Sequence, residues 1–232
     1  MTDHYMGNPN VKGDGVTQPW TEHDVREYAK CMQDPSYFAR TYVKIISLDK
    51  GLVNFNLYDY QEKMFEHFAD NRFSIVLACR QSGKSISSVV YLLWYAIFHP
   101  EKTIAVLANK GATAREMLAR VTLALENLPF FLQPGCRALN KGSIEFSNNS
   151  RILAAATSGS SIRGMSVNLL FLDEFAFVER AAEFYTSTYP VVSAGKETKV
   201  IITSTANGIG NQFHKIWEGA VQKTSEYKPF TV

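Results

Sequence analysis

Cysteine is scarce in this sequence. Cys31, Cys79 and Cys136 are the only three, odd in number, widely spaced and without a C-x-x-C pair. That spacing excludes a C-x-x-C zinc site or redox dithiol and reads most simply as reduced thiols in a cytosolic setting. Net charge is equally scant, at +2, so a nucleic-acid partner must be met by a local patch and not by the whole surface. Composition alone neither suggests nor excludes DNA. Long hydrophobic runs are missing as well. The most apolar stretch, "SVVYLLWYAIF" from Ser88 to Phe98, is too short to span a bilayer and reads as a buried helix, so no membrane role follows. The opening "MTDHYMGNPNVKGDG" lacks the apolar run of a signal peptide. No internal repeat or low-complexity tract is present.

What is there suits one large domain, or a core domain with a small lobe, in 232 residues. Residues 1–20, rich in Gly, Asn and Pro, predict a flexible N-terminal arm. Residues 21–56 predict a helical subregion, opened by a capping box between Thr21 and Asp24. From residue 57 to 232 the pattern is that of an α/β core. A helix is expected from Leu57 to Phe68, followed by apolar runs alternating with helical segments, as in a mainly parallel central sheet flanked by helices. The runs are Ser74–Ala78, Thr103–Ala108, Asn168–Asp173 and Lys199–Thr205. Two strand-like runs around Asn148-Asn149 predict a β-hairpin, and "GSSIRG", residues 159–164, predicts a small-residue loop.

The stretch "SIVLACRQSGKSISSVV" holds the chemistry. A strand, a loop and then Gly83-Lys84-Ser85 opening a helix is the arrangement in which backbone N–H groups cradle phosphates. The lysine reaches the outer phosphates and the hydroxyl binds magnesium. The first glycine of the usual G-x-x-x-x-G-K-[ST] pattern is replaced by Ala78, yet Gln81, Ser82 and the rest of the loop keep their donors. A bare G-K-S also arises by chance on surface turns. Here it is followed by "NLLFLDEFAF", an apolar strand ending in Asp173 and Glu174. In phosphoryl transfer the first such acid holds the metal shell and the second polarises the attacking water. The plainer reading of that pair is helix capping.

Together with "WTEHDVREY", "YDYQEKMF", "LPFFLQPG", "NKGSIEF", "RGMSVNLLFLDEFAF" and "IITSTANGIGNQFHKIW", these motifs make the chain resemble the ATPase domain of the large terminase subunit of tailed bacteriophages. The likeness is closest to the large contractile-tailed phages. The resemblance implies an additional-strand, RecA-like P-loop NTPase fold with the coupling strand beside the phosphate-loop strand. It implies ATP and Mg²⁺ as cofactors, with Ser85 and Asp173 on the metal, Lys84 on the phosphates and Glu174 activating water. Arg80 is implied as a contact or sensor of the γ-phosphate, although alone it would read as a solvated arginine. Tyr60 and Gln61 match the adenine-recognition motif, with the tyrosine stacking and the glutamine amide both donating and accepting. Alone, Gln61 would read as a surface helix residue. Thr203, Ser204 and Thr205 match the motif coupling phosphate loss to DNA movement.

Arg163 matches an arginine reaching the neighbouring subunit's nucleotide; the alternative is a salt bridge to the acidic pair. The implied partners are double-stranded DNA, portal protein, the small terminase subunit and copies of the chain itself in a ring on the prohead, expected as a pentamer. The implied setting is the host cell cytoplasm. No later acid cluster suited to two metals follows, so nuclease activity is not expected in this chain, and an isolated ATPase domain, a truncated product or one part of a split terminase is. A helicase-like translocase and a nucleotide-gated assembly module are the other readings. Lys110, Arg115 and Arg120, expected on one helix, and Lys141 and Arg151, flanking the hairpin, read as solvated faces more readily than as a DNA surface.

Overall fold

The computed structural model describes residues 3–157, 165–193 and 195–232. The chain opens with a small antiparallel pair, β1 (His4–Tyr5) and β2 (Asn8–Lys12). It is not the flexible arm expected of residues 1–20. Val11 is fully buried, Lys12 N–H donates to Gln133 Oε1 at 3.0 Å, and Gly13 bridges to Cys136. Gly7 and Gly15, which suggested looseness, serve turns at positive φ instead, and Asn8-Pro9 opens strand β2.

Helix α1 (Glu22–Gln33) starts with the expected capping box, Thr21 Oγ1 accepting from Asp24 N–H at 3.1 Å. Asp34 caps α2 (Pro35–Tyr42). The rest of the expected helical subregion is an antiparallel hairpin, β3 (Lys44–Ser47) with β4 (Gly51–Asn54), turned at a Gly51 of φ 68°. Helix α3 (Asp59–Asp70) begins two residues later than expected.

The remaining elements are β5 (Phe73–Leu77), α4 (Lys84–Phe98), β6 (Thr103–Ala108), α5 (Gly111–Glu126), β7 (Cys136–Leu139), β8 (Ser143–Phe146), β9 (Arg151–Ala156), β10 (Leu169–Asp173), a 3-10 turn at Phe175–Phe177, α6 (Ala181–Ser193), β11 (Lys199–Ser204), α7 (Gln212–Val221) and β12 (Lys228–Thr231). Eight strands form one sheet in the order β12-β5-β11-β10-β6-β9-β8-β7. It is parallel from β12 to β9, and antiparallel where β8 and β7 are added. The inner strands are apolar without alternation because both faces are covered. Helices α1 to α5 bury one face, and the 3-10 turn with α6 and α7 buries the other.

Helix α4 is buried along almost its whole length, as its apolar run predicts. Trp94 Nε1 donates to the Cys31 carbonyl at 2.7 Å and ties it to α1. The predicted hairpin is β8–β9, with Asn149 in the left-handed region at its turn. The loop expected at residues 159–164 lies outside the described residues. Among the described residues no helix is long and apolar enough to cross a membrane.

Candidate active site: a phosphate loop tied to an acidic strand end

Three parallel strands, β5, β11 and β10, lie side by side, and the loops at their C-terminal ends meet. After β5 the chain turns through Gln81 and Gly83, both left-handed at φ 61° and 74°. This is backbone geometry associated with anion-binding nests, and the N-terminus of α4 follows directly. Glycine is needed at 83 twice over. Besides its φ, a Cβ there would lie 2.7 Å from Gln61 Nε2. The loop is further pinned by Ser82, whose hydroxyl donates to the Cys79 carbonyl at 2.9 Å. The Ser82 carbonyl in turn accepts from the Tyr60 hydroxyl at 2.7 Å. Arg80 and Cys79 are exposed at the loop's outer side.

Lys84, 8% exposed, points to the acidic pair and donates to Glu174 Oε1 at 2.5 Å. Glu174 itself is left-handed at φ 49°, a conformation of order 1–3 kcal/mol above the ordinary ones for a non-glycine residue. Ser204 and Asn207, at and beyond the end of β11, hold the turn in place through Ala176. Ala176 N–H donates to Ser204 Oγ at 3.1 Å, and its carbonyl accepts from Asn207 Nδ2 at 2.9 Å. The other carboxylate oxygen, Glu174 Oε2, accepts from Thr205 N–H and Thr205 Oγ1 at 3.1 Å each, and from Ser204 Oγ at 3.4 Å. Burial alone would raise the Glu174 pKa. The donations from Lys84 and Thr205 together outweigh it and hold the carboxyl below its usual range.

Asp173, 4% exposed, is shifted the opposite way, because burial dominates over the Lys84 charge and the Thr203 hydrogen bond. Two hydroxyls meet its side chain, Thr203 Oγ1 at 2.8 Å on Oδ1 and Ser85 Oγ at 3.4 Å on Oδ2, beside a backbone hydrogen bond from Glu174. A buried carboxylate and a hydroxyl on facing elements, with no cation of the described residues in direct contact, fit a magnesium ion by the chemistry of their oxygen donors.

A cavity of about 730 Å³ adjoins the loop, between the β3–β4 hairpin and Gln81–Gly83. Of Tyr60 and Gln61, the pair expected to meet a base, only Gln61 lines this cavity. Tyr58, not Tyr60, lines this cavity, and the two rings stack at 5.5 Å with 12° between their planes. Gln61 lines it too, but is 2% exposed, and its Oε1 accepts from Tyr58 N–H at 2.9 Å at the start of α3. Its carbonyl oxygen is therefore engaged within the protein, and the amide N–H remains for a ligand. Tyr58 and Asn207 lie within quoted motifs but were not singled out, and their placement, Tyr58 with the hairpin beside the loop and Asn207 on the Ala176 carbonyl, is what reveals them. Arg163 lies outside the described residues. Arg115 and Arg120 fall on α5 with Lys110 as its N-cap, all exposed; Arg120 pairs with Glu116 at 3.6 Å.

The phosphate loop, the inserted strand β11 between β5 and the acidic strand β10, and the paired acids define a P-loop NTPase domain of the additional-strand, RecA-like class. A family model described as "Terminase large subunit, T4likevirus-type, N-terminal" matches residues 75–232. The chain belongs to that family, the N-terminal part of T4-like terminase large subunits.

Solved structures share the fold. The HK97 bacteriophage large terminase superposes with a TM-score of 0.72 at 15% identity, over 86% of this chain and 43% of that one. The large terminase ATPase domain of Thermus phage P74-26 gives 0.60 at 18% identity, over 76% and 81%. The large terminase of a thermophilic bacteriophage, in complex with ADP, gives 0.61 at 14%, over 76% and 45%. The chain thus spans less than half of the HK97 protein and of the ADP-bound one, and most of the P74-26 ATPase domain.

Proposed function

We propose that this chain is the motor domain of a terminase large subunit, hydrolysing ATP with Mg²⁺ to drive viral double-stranded DNA into proheads. One observation carries the reading: Lys84, Glu174 and Thr205 form an unbroken hydrogen-bonded chain from phosphate loop to coupling segment. Ser85 and Asp173 would hold the magnesium ion, which would neutralise phosphate charge.

The chain's own residues do the rest. When γ-phosphate oxygens take the Lys84 ammonium, Glu174 Oε1 loses a donor that lowers its basicity. It then accepts a proton from a water whose oxygen bonds to the γ-phosphorus as the bond to the ADP oxygen breaks. Oε2 stays on Thr205, so the change at the phosphate is felt by the coupling segment. Arg80, on the loop's outer rim, serves as a γ-phosphate contact, and the amide N–H of Gln61 meets the base with the Tyr58 ring beside it. On family likeness, Arg163 acts on a neighbouring subunit's nucleotide in a homo-oligomeric ring, the partners include portal protein and the small subunit, and the work is done in the host cytoplasm.

The test is phosphate release from Mg-ATP over a wide protein-concentration series, for wild type, Glu174→Gln and Arg163→Ala. Glu174→Gln is expected to lose on the order of 10²–10⁴-fold in turnover while still binding ATP. A rise with concentration that Arg163→Ala abolishes supports catalysis between subunits. Binding of ATP without turnover at any concentration, alike in wild type and Glu174→Gln, would leave only a nucleotide-gated module.

A further inference from the structure

A second cavity, of about 510 Å³, lies at the far end of α4 from the phosphate loop. Lys84 opens that helix and Ile97, near its end, lines this cavity. At about 1.5 Å of rise per residue the two sites are ~20 Å apart. Trp20, Tyr28 and Phe131 give the cavity an apolar wall, and Lys12, Gln133 and Arg137 a polar one.

Lys12 is the unusual member. It is 8% exposed, burial pushes its pKa down, and its ammonium has no hydrogen bond or ion pair with any described residue. The polar groups around it are already engaged. Gln133 accepts from Lys12 N–H and donates to the Asn10 and Leu128 carbonyls. Arg137 is held by Asp14 at 3.2 Å, Asn149 at 2.7 Å and the Ser147 carbonyl at 3.2 Å. Across the strand pair from Lys12, His4 also keeps a buried Nδ1 without a partner. The Lys12 stem is buried while its ammonium is not among the fully buried atoms, so the charge is open to the cavity that the residue lines, and no carboxylate of the described residues pairs with it.

We propose that this cavity is an oxyanion site. The Lys12 ammonium receives the carboxylate or phosphate of a ligand whose apolar portion lies against Trp20, Tyr28 and Phe131. The site is separate from the nucleotide site and does not rest on the motor reading.

The test is a titration of the ¹⁵N-labelled chain with acetate, phenylacetate, inorganic phosphate and phenyl phosphate, followed by amide shifts. Saturable shifts are expected at residues 11–17, 131–137 and 147–148, with each aryl probe about ten-fold or more tighter than its parent anion. Comparing the carboxylate and phosphate pairs identifies which oxyanion is preferred. The Lys84→Ala variant removes any phosphate response of the phosphate loop and leaves these shifts in place. Lys12→Met is expected to abolish them while Mg-ATP still binds. No saturable shift at these residues with any probe, or shifts that persist in Lys12→Met, would overturn the assignment. If Lys12→Met loses Mg-ATP binding as well, Trp20→Ala decides. It must erase the preference for phenylacetate over acetate, and an unchanged preference counts against the site.

Discussion

Gly83 shows how one residue serves both conformation and space. Its positive φ disfavours a side chain, and the amide of Gln61 occupies the place a Cβ would take. Gly83→Ala is expected to destabilise the fold by about 1–3 kcal/mol and to weaken ATP binding, read by urea denaturation and by nucleotide titration. Cys79, exposed beside Arg80 at the rim of the same loop, offers a chemical probe. A maleimide is expected to label it readily in the free protein and slowly in Mg-ATP, with hydrolysis lost on labelling; equal labelling rates would argue against a phosphate loop at this position. That Lys84, Ser85, Asp173 and Glu174 would lie together was legible in the sequence because they sit at strand ends and in a loop that local pattern specifies. Which of Tyr58 and Tyr60 lines the cavity was not. Two tyrosines at the start of one helix look alike until the loop that takes a hydroxyl from one of them is in place.

Between elements, the clearest electrostatic joint is Glu27 on α1. It accepts from Lys30 at 2.8 Å and from Tyr37 and Tyr42 of α2 at 2.6 and 2.8 Å. Hydrogen bonds from Lys30 first, then Tyr37 and Tyr42, hold its carboxyl down to about 2 from an ordinary 4.5. A lowered carboxyl pKa contributes stability that is complete above the unfolded value and lost as pH falls through the folded one. The advantage of wild type over Glu27→Gln in urea midpoint is therefore expected to be full near neutrality and to shrink between pH of about 5 and about 2; a constant gap would refute the joint. The inner strands were legible at this scale because burial on both faces leaves unbroken apolar runs. Strands β7 ("CRAL") and β12 ("KPFT") were not, being short and at the two edges of the sheet, where mixed sequence is tolerated. The opening pair β1–β2 was missed for a related reason. Its one fully buried residue, Val11, is too little to mark a strand.

For the molecule as a whole, nucleotide should act as a stabilising ligand. Mg-ATP at a hundred-fold excess over its Kd is expected to add about 2.7 kcal/mol to unfolding, visible as a higher Tm that Lys84→Ala abolishes; a Tm indifferent to Mg-ATP would contradict the site. The α/β class could be read from alternating runs and helices. The order of strands could not, since spacing does not say which parallel strands are neighbours, and that part came from family resemblance. The order also has a mechanical meaning. Strands β5, β11 and β10 are laced by a continuous hydrogen-bonded ladder, so none can slide past the next without several bonds breaking at once. The sheet is the stiff frame of the device. The lacing ends at Ser204, and the exposed stretch Ala206–Gly210 that follows, with its two left-handed glycines, is held to the frame through Asn207, which donates to the Ala176 carbonyl.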